Sequence, residues 1–318
     1  MKPRYRPLVG IGILVLGGLV RMPLEQGVVE DFRNKGLLPE PLQLSLRERI
    51  GQNSSVIALA GLRTLVATFS HLKATEFFTV QDWPKVEDSM ETVVQLVPRD
   101  AYYRDMGAWH KAYNAASYYL NDSGLPPLIA KAESRRWTAK GREFLERGIR
   151  NSPNDWRMYA SLGHLLSDTN RSPDPEAAEA AYAGAIATGN APAYLERFRF
   201  FAEVRAGKHS AETLEKLHKL LEVQRNRVPT MLCILYSLEY QLNEPDDPLA
   251  LALEVFGTEK KALRNLGSYF VDIRESLPMN GVETAIRILE AREGIAPEDE
   301  RSFIHFRKEV LKRNGLER

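Results

Sequence analysis

Cysteine is almost absent from this sequence: one residue in 318, Cys233, so no intramolecular disulfide can hold the fold. Cys233 lies in the apolar run Met231-Leu232-Cys233-Ile234-Leu235 and reads as a small buried hydrophobe, not a reactive thiol. A disulfide-free chain fits the cytosol, and it also fits an exported helical protein large enough to be held by packing alone. Charge of one sign is missing too. There are 43 basic and 42 acidic residues, a net charge of +1, so the concentrated basic surface that nucleic acid demands is not indicated. No alternating β-branched stretch occurs, while Ala, Leu, Glu, Arg and Lys dominate, which predicts an all-α protein. With 44% hydrophobic residues there is ample material for a core.

Catalytic constellations are equally scarce. Six histidines occur, at His71, His110, His164, His209, His218 and His305, none with a His or Cys partner at metal-ligand spacing. Ser70-His71-Leu72-Lys73 has the Ser-x-x-Lys spacing of serine acyl-transfer enzymes, without the Ser-Asp-Asn and Lys-Thr-Gly partners. The run Gly184 to Asn190 approaches a phosphate loop, but Asn190 stands where lysine is required and no strand precedes it. The sequons at Asn53 and Asn121 carry weight only if the source glycosylates exported proteins. The expectation is a protein that is not an enzyme, with no cofactor, no metal and no small-molecule substrate.

What is present begins at the N-terminus. Lys2, Arg4 and Arg6 precede an uncharged stretch from Pro7 to Val20 that Arg21 closes, a basic region followed by an apolar one. Its 14 residues make about 21 Å of helix, short of the roughly 30 Å hydrocarbon core. Arg21 can snorkel, and Met22 and Leu24 lengthen the apolar stretch. No small-x-small cleavage site follows in Gly17-Gly18-Leu19-Val20-Arg21-Met22-Pro23, so residues 1–24 are expected to be an uncleaved signal-anchor, a transmembrane helix. No cysteine near its end permits lipoprotein processing. The positive-inside rule then puts the N-terminus in the cytoplasm and the rest of the chain beyond the cell (inner) membrane, as a single-pass protein. Two alternatives stay open. One is cleavage, which would release a periplasmic or secreted protein; the other is a buried N-terminal helix, in which Gly10, Gly12, Gly17 and Gly18 would be costly.

Residues 25–55 mix charges, glycines and prolines without a period and read as a tether and entry segment. Val56 to Phe78 is apolar on several faces, but Arg63, His71 and Lys73 argue against a second membrane span and for a buried first helix. The long helix that follows, over 100–120, is crowded with Tyr102, Tyr103, Trp109, Tyr113, Tyr118 and Tyr119. Helical spacing of Tyr102, Trp109 and Tyr113 predicts core packing.

The strongest pattern lies between Pro153 and Asn190. Tyr159, Leu162, Gly163 and Leu166 share one face of a helix, and Ala178, Tyr182 and Ala185 share one face of the next. Small residues at Ala178, Ala185 and Gly163 let helices approach to the close end of about 8 to 10 Å, with Tyr182 filling the gap between the alanines. Pro98 and Pro153 end the preceding helices, and Asn154 or Asp155 can cap the next. The same small, large, small, proline order recurs upstream at Gly141, Leu145, Gly148 and Pro153, and again, with valines, at Val86, Met90, Val93 and Pro98.

These residues resemble the tetratricopeptide repeat family, most plainly from Asn154 through Gly163, followed by Ala178, Ala181, Tyr182 and Ala185. The resemblance implies a right-handed α-solenoid of helix hairpins over 56–226, about 34 residues to a repeat. Three departures make it irregular. The link from Leu165 to Pro175 is too long, Pro192 is displaced, and the stretch 100–120 is one residue out of phase. Beyond the array, residues 227–318 are expected to be a helical extension and cap. Its helices are predicted over 230–242, 248–256, 259–276, 281–292 and 297–314, the last with Val310 and Leu311 inward.

In tetratricopeptide arrays the first helix of each pair lines an inner groove that holds a peptide or partner helix. The resemblance therefore implies that Arg157, Ala160, His164 and Asp168 face such a groove, with Arg104 and Lys111 doing so from the preceding repeat. The expected function is a membrane-tethered scaffold that binds a partner protein on the extracytoplasmic side. A soluble periplasmic or secreted helical-repeat protein, or a non-catalytic subunit of an enzyme complex, is the alternative.

Overall fold

The computed structural model describes residues 63–272 and 276–314. The expected anchor over 1–24, the tether over 25–55 and the first residues of the helix predicted from Val56 lie outside the described residues. Among the described residues every regular element is a helix, and none of these helices is long and apolar enough to cross a membrane. The chain divides into two compact units, residues 1–165 and 166–318.

In the first unit, α1 (Arg63–Thr79) packs on α2 (Trp83–Leu96), α2 on α3 (Ala101–Trp109), and α3 with its continuation on the long α5 (Pro127–Asn151). That continuation is a π-helical segment (His110–Ala115) followed by α4 (Ala116–Asn121). A π turn absorbs one extra residue, which accounts for the one-residue phase slip visible in the sequence here. Starts are written locally: the Asp82 carboxylate accepts from the Lys85 amide at 3.3 Å and Asp100 from the Tyr102 amide at 2.9 Å. Proline stands in the first turn of α2 and α5, where a missing amide hydrogen costs nothing. Trp83, Val86, Met90, Ala115, Ala116 and Trp137 form the core of this unit.

Two expectations are corrected in this unit. Only Ala67 and Ala74 of α1 are buried, so the first described helix is not a buried one; Leu65, Phe69 and Leu72 are more than half exposed. Nor do Tyr102 and Trp109 enter the core: they are 57% and 51% exposed, and Trp109 stacks on Tyr113 at 4.3 Å. Small residues take the inner face instead. Ala101, Gly107, Ala108, Ala112, Ala115 and Ala116 are buried, and their lack of bulk lets the neighbouring helices close in and leaves the large rings outside.

The helix α6 (Trp156–Ser167) carries the boundary between the units, and Asp155 caps it by accepting from the Arg157 amide at 3.1 Å. In the second unit α7 (Pro175–Ala187) packs on α8 (Leu195–Arg205), and α8 on α9 (Ala211–Leu221). A 3-10 turn (Gln224–Asn226) leads into α10 (Pro229–Asn243), then α11 (Pro248–Phe256), α12 (Glu259–Val271), α13 (Val282–Arg292) and α14 (Phe303–Arg313). Both helices expected for the best-marked hairpin are present, α6 and α7. Cys233 is fully buried in the core of this unit, with Ile234, Leu238, Leu266 and Ile286, and burial pushes its thiol well up, away from the thiolate form.

The C-terminal helices differ from the sequence limits at two ends. The helix predicted to reach residue 276 stops at Val271, with Asp272 in an extended conformation after it, and the Tyr269 hydroxyl donates to the Pro278 carbonyl at 2.8 Å. The last helix starts at Phe303, not 297, because Ser302 caps it. Ser302 Oγ accepts from the Ile304 and His305 amides at 3.2 and 3.3 Å, while its own hydrogen goes to the buried Glu290 at 2.8 Å. Val310 and Leu311 are half-buried.

Candidate functional site

The six groove residues expected from the sequence do not form one surface. Arg104 and Lys111 are 1% and 3% exposed, which corrects their assignment to an open groove. They share the helix face carrying Gly107, Ala108 and Ala112, and the close packing of those small residues draws both cations inside. Ala160 is buried as well. Arg157 is exposed but folded onto Asp155, with Nε and Nη2 each 2.8 Å from its carboxylate. His164 is exposed on α6, one turn beyond Ser161, whose hydroxyl donates to Asp105 at 2.6 Å. Asp168 follows the end of α6 and accepts from the Asn170 amide at 2.9 Å.

Of the residues marked for packing, Gly141 and Gly148 stand at tight approaches. A Cβ at Gly141 would lie 2.6 Å from the Ala112 Cβ and 3.0 Å from the Ala108 carbonyl; one at Gly148 would lie 3.1 Å from the Met158 sulfur. Leu145, Leu162, Gly163, Ala178, Tyr182 and Ala185 are buried, Tyr159 is half-buried, and Pro153 is exposed in the turn before α6.

The burial of Lys111 creates an ionic core that sequence patterning missed. Its Nζ lies 2.9 Å from Glu87 and 2.9 Å from Glu91, one helical turn apart on α2. Lys140 also bonds Glu87, and Arg147 reaches both oxygens of Glu91 at 2.6 and 2.8 Å. Beneath them the buried Phe144 ring faces three cations, Lys111 at 4.6 Å, Arg147 at 5.2 Å and Arg104 at 5.3 Å from its centroid. Burial pushes the Glu87 and Glu91 carboxyls up, but their cationic partners outweigh it and hold both below the ordinary range. The crevice beside Lys111, lined by Trp83, Glu87, Met90, His110 and Trp137, has no room for a water molecule. Lys111 is enclosed at the inner end of the cluster, while Lys140 and Arg147 stay partly exposed at its rim, and the ion pairs bridge α2, the π segment and α5. A signal was available: Glu at i and i+4 on one helix, facing Lys and Arg seven apart on another, fits a cross-helix lattice.

An open concavity exists in the second unit instead. A cleft of about 430 Å³ lies between α8, α9 and the 3-10 turn. That volume falls within the range of ligand clefts, about 300 to 1,000 Å³. Phe200, Leu220 and Val223 give it an apolar part, and Arg199, Lys216, Lys219 and Arg225 stand around it with Glu196 and Glu203. The turn is fixed in place by Asn226, which is buried: its Nδ2 donates to the Leu220 carbonyl at 2.8 Å, and its Oδ1 accepts from Arg197 at 3.2 Å. The same Arg197 nitrogen donates to the Arg225 carbonyl at 2.9 Å. Apart from Phe200, which with Phe198 and Phe201 reads from the sequence as either a ligand-stacking surface or core, these residues carry no signal, because they come from three elements with no common spacing.

Among the described residues no group of three or more His, Cys, Asp and Glu is placed to hold a metal ion. Comparison with known proteins finds no match to the chain among family models, characterised proteins or solved structures.

Proposed function

We propose that the chain is a membrane-tethered helical-repeat scaffold of the tetratricopeptide type, which binds a protein beyond the membrane and performs no catalysis of its own. One observation carries the reading: helices pack on their neighbours in chain order, α1 on α2, α2 on α3 and α3 on α5 in the first unit, and α7 on α8, α8 on α9 and α9 on α10 in the second, before α10 to α14 pack across one another as an extension. Nearest-neighbour packing of this kind stabilises solenoids one unit at a time and leaves helix faces open for partners. The tether rests on the basic start, Lys2, Arg4 and Arg6, and the uncharged stretch from Pro7 to Val20.

The test is made on membranes. A photoreactive residue in place of the exposed His164 or Arg157 should give one adduct of defined mass with a second protein, in membranes that retain the chain through alkaline carbonate extraction. Chain released to the soluble fraction with a new N-terminus after residue 20 would overturn the tether. Adducts no different from those of a probe at Lys312, in the last helix, would overturn recruitment through α6.

A further inference from the structure

The cleft in the second unit has an excess of cations that the fold itself does not neutralise. Lys216 is engaged, at 2.9 Å from Glu203 and 3.1 Å from Glu212. Arg199 lies 3.7 Å from Glu179, a loose pairing. Lys219 on α9 and Arg225 on the 3-10 turn have no ion pair among the described residues, and both are exposed. Of the two carboxylates in the lining, Glu203 is buried and already accepts from Lys216, and Glu196 on α8 is half-buried, so four cations face two carboxylates and the lining stays net positive. The cleft thus presents two free cations, one half-committed arginine, one half-buried carboxylate (Glu196) and an apolar strip of Leu220 and Val223 laid over the buried Phe200. Such a surface attracts carboxylates, and the apolar strip between the cations adds a hydrophobic contact.

We propose that this cleft is a carboxylate-binding site that takes an acidic, extended segment of the recruited protein, with Lys219 and Arg225 as its charge contacts. The proposal rests on the scaffold reading and names the chemistry of its partner. An extended segment fits because its side chains alternate: acidic residues can meet Lys219 and Arg225 while apolar ones between them settle on Leu220 and Val223. The Asn226 clamp holds the backbone of the turn that carries Arg225 against the end of α9, so binding orders the Lys219 and Arg225 side chains but not the turn itself.

The experiment uses the full chain in detergent and isothermal titration with a synthetic peptide of alternating Glu and Leu. The same peptide with Gln for Glu, and free glutarate, serve as comparisons. The acidic peptide should bind saturably and lose affinity as salt rises, while the Gln peptide and glutarate bind at least about tenfold more weakly. The double variant Lys219→Glu/Arg225→Glu should weaken the acidic peptide at least about tenfold at an unchanged melting temperature. A charge-matched control, Lys308→Glu/Lys312→Glu in α14, should leave it unchanged. Equal binding of the Gln peptide, or full binding by the cleft variant, would overturn the proposal. Glutarate binding as tight as the peptide would overturn the peptide as the source of the carboxylate. If the cleft variant still assembles with its partner in membranes, this inference fails while the scaffold reading stands; if wild-type chain assembles with nothing, the scaffold reading itself fails.

Discussion

A lysine at 111 shows how far a residue's neighbours can redirect it. The tetratricopeptide resemblance implied a groove-facing position for it, yet it sits 3% exposed between Glu87 and Glu91. The identity of the side chain was legible, and its direction was not. Direction was decided by the glycine and alanines sharing its face, whose packing against α5 could be known only once α5 was placed. The arrangement makes Lys111 costly to remove. Lys111→Met takes away the one cation that touches both carboxylates, and it leaves Lys140 and Arg147 to compensate from one side each. Breaking a buried ion pair from one side typically costs about 3 to 5 kcal/mol. Denaturant titration should therefore show Lys111→Met losing about 3 kcal/mol or more, with Arg142→Met, on an exposed pair, losing under about 1 kcal/mol. Equal losses would mean that the ionic core is solvated.

Element boundaries are set largely by local chemistry, although Asn154 or Asp155 is the one cap that the sequence analysis marked. Asp82, Asp100, Asp174, Ser210, Asp247 and Thr258 each bond a first-turn amide of the helix that follows. The helix predicted over 248–256 forms over Pro248–Phe256, closed by Gly257 at φ +81°, a backbone conformation that glycine adopts without strain. Where a limit depended on a distant partner, pattern failed. Ser302 begins α14 through Glu290 on another helix, and nothing near residue 297 announces this. The π segment lies between these cases: its extra residue was visible as a phase slip, although the sequence could not say how the helix would absorb it. Spacing also marked Gly141, and here the structure gives a reason. Its missing side chain lets α5 meet the π segment, so Gly141→Leu should cost about 1 to 3 kcal/mol, while Gly124→Leu, with open space around it, tests only the turn before α5. Thermal melting checks this, and an unchanged melting temperature for Gly141→Leu would rule out the close approach.

At the level of the molecule, the all-helical class followed from what the sequence lacks, with no alternating stretch to build a sheet and no cysteine framework to replace a core. The division at residue 165 was not visible, because the boundary falls inside α6, a helix whose sequence reads without interruption. The cleft was invisible for the same kind of reason: Phe200, Lys219 and Arg225 acquire meaning only when α8, α9 and a 3-10 turn meet. What ties the scales together is the claim that these helices serve as a surface for another protein. The most direct test is the native mass of the full chain purified in mild detergent from the membranes to which the proposed tether would hold it. The account predicts a complex with one other protein in fixed stoichiometry, whose amount falls when Lys219 and Arg225 are reversed in charge. A chain that purifies alone at its own mass, under conditions that keep other membrane assemblies intact, would contradict it.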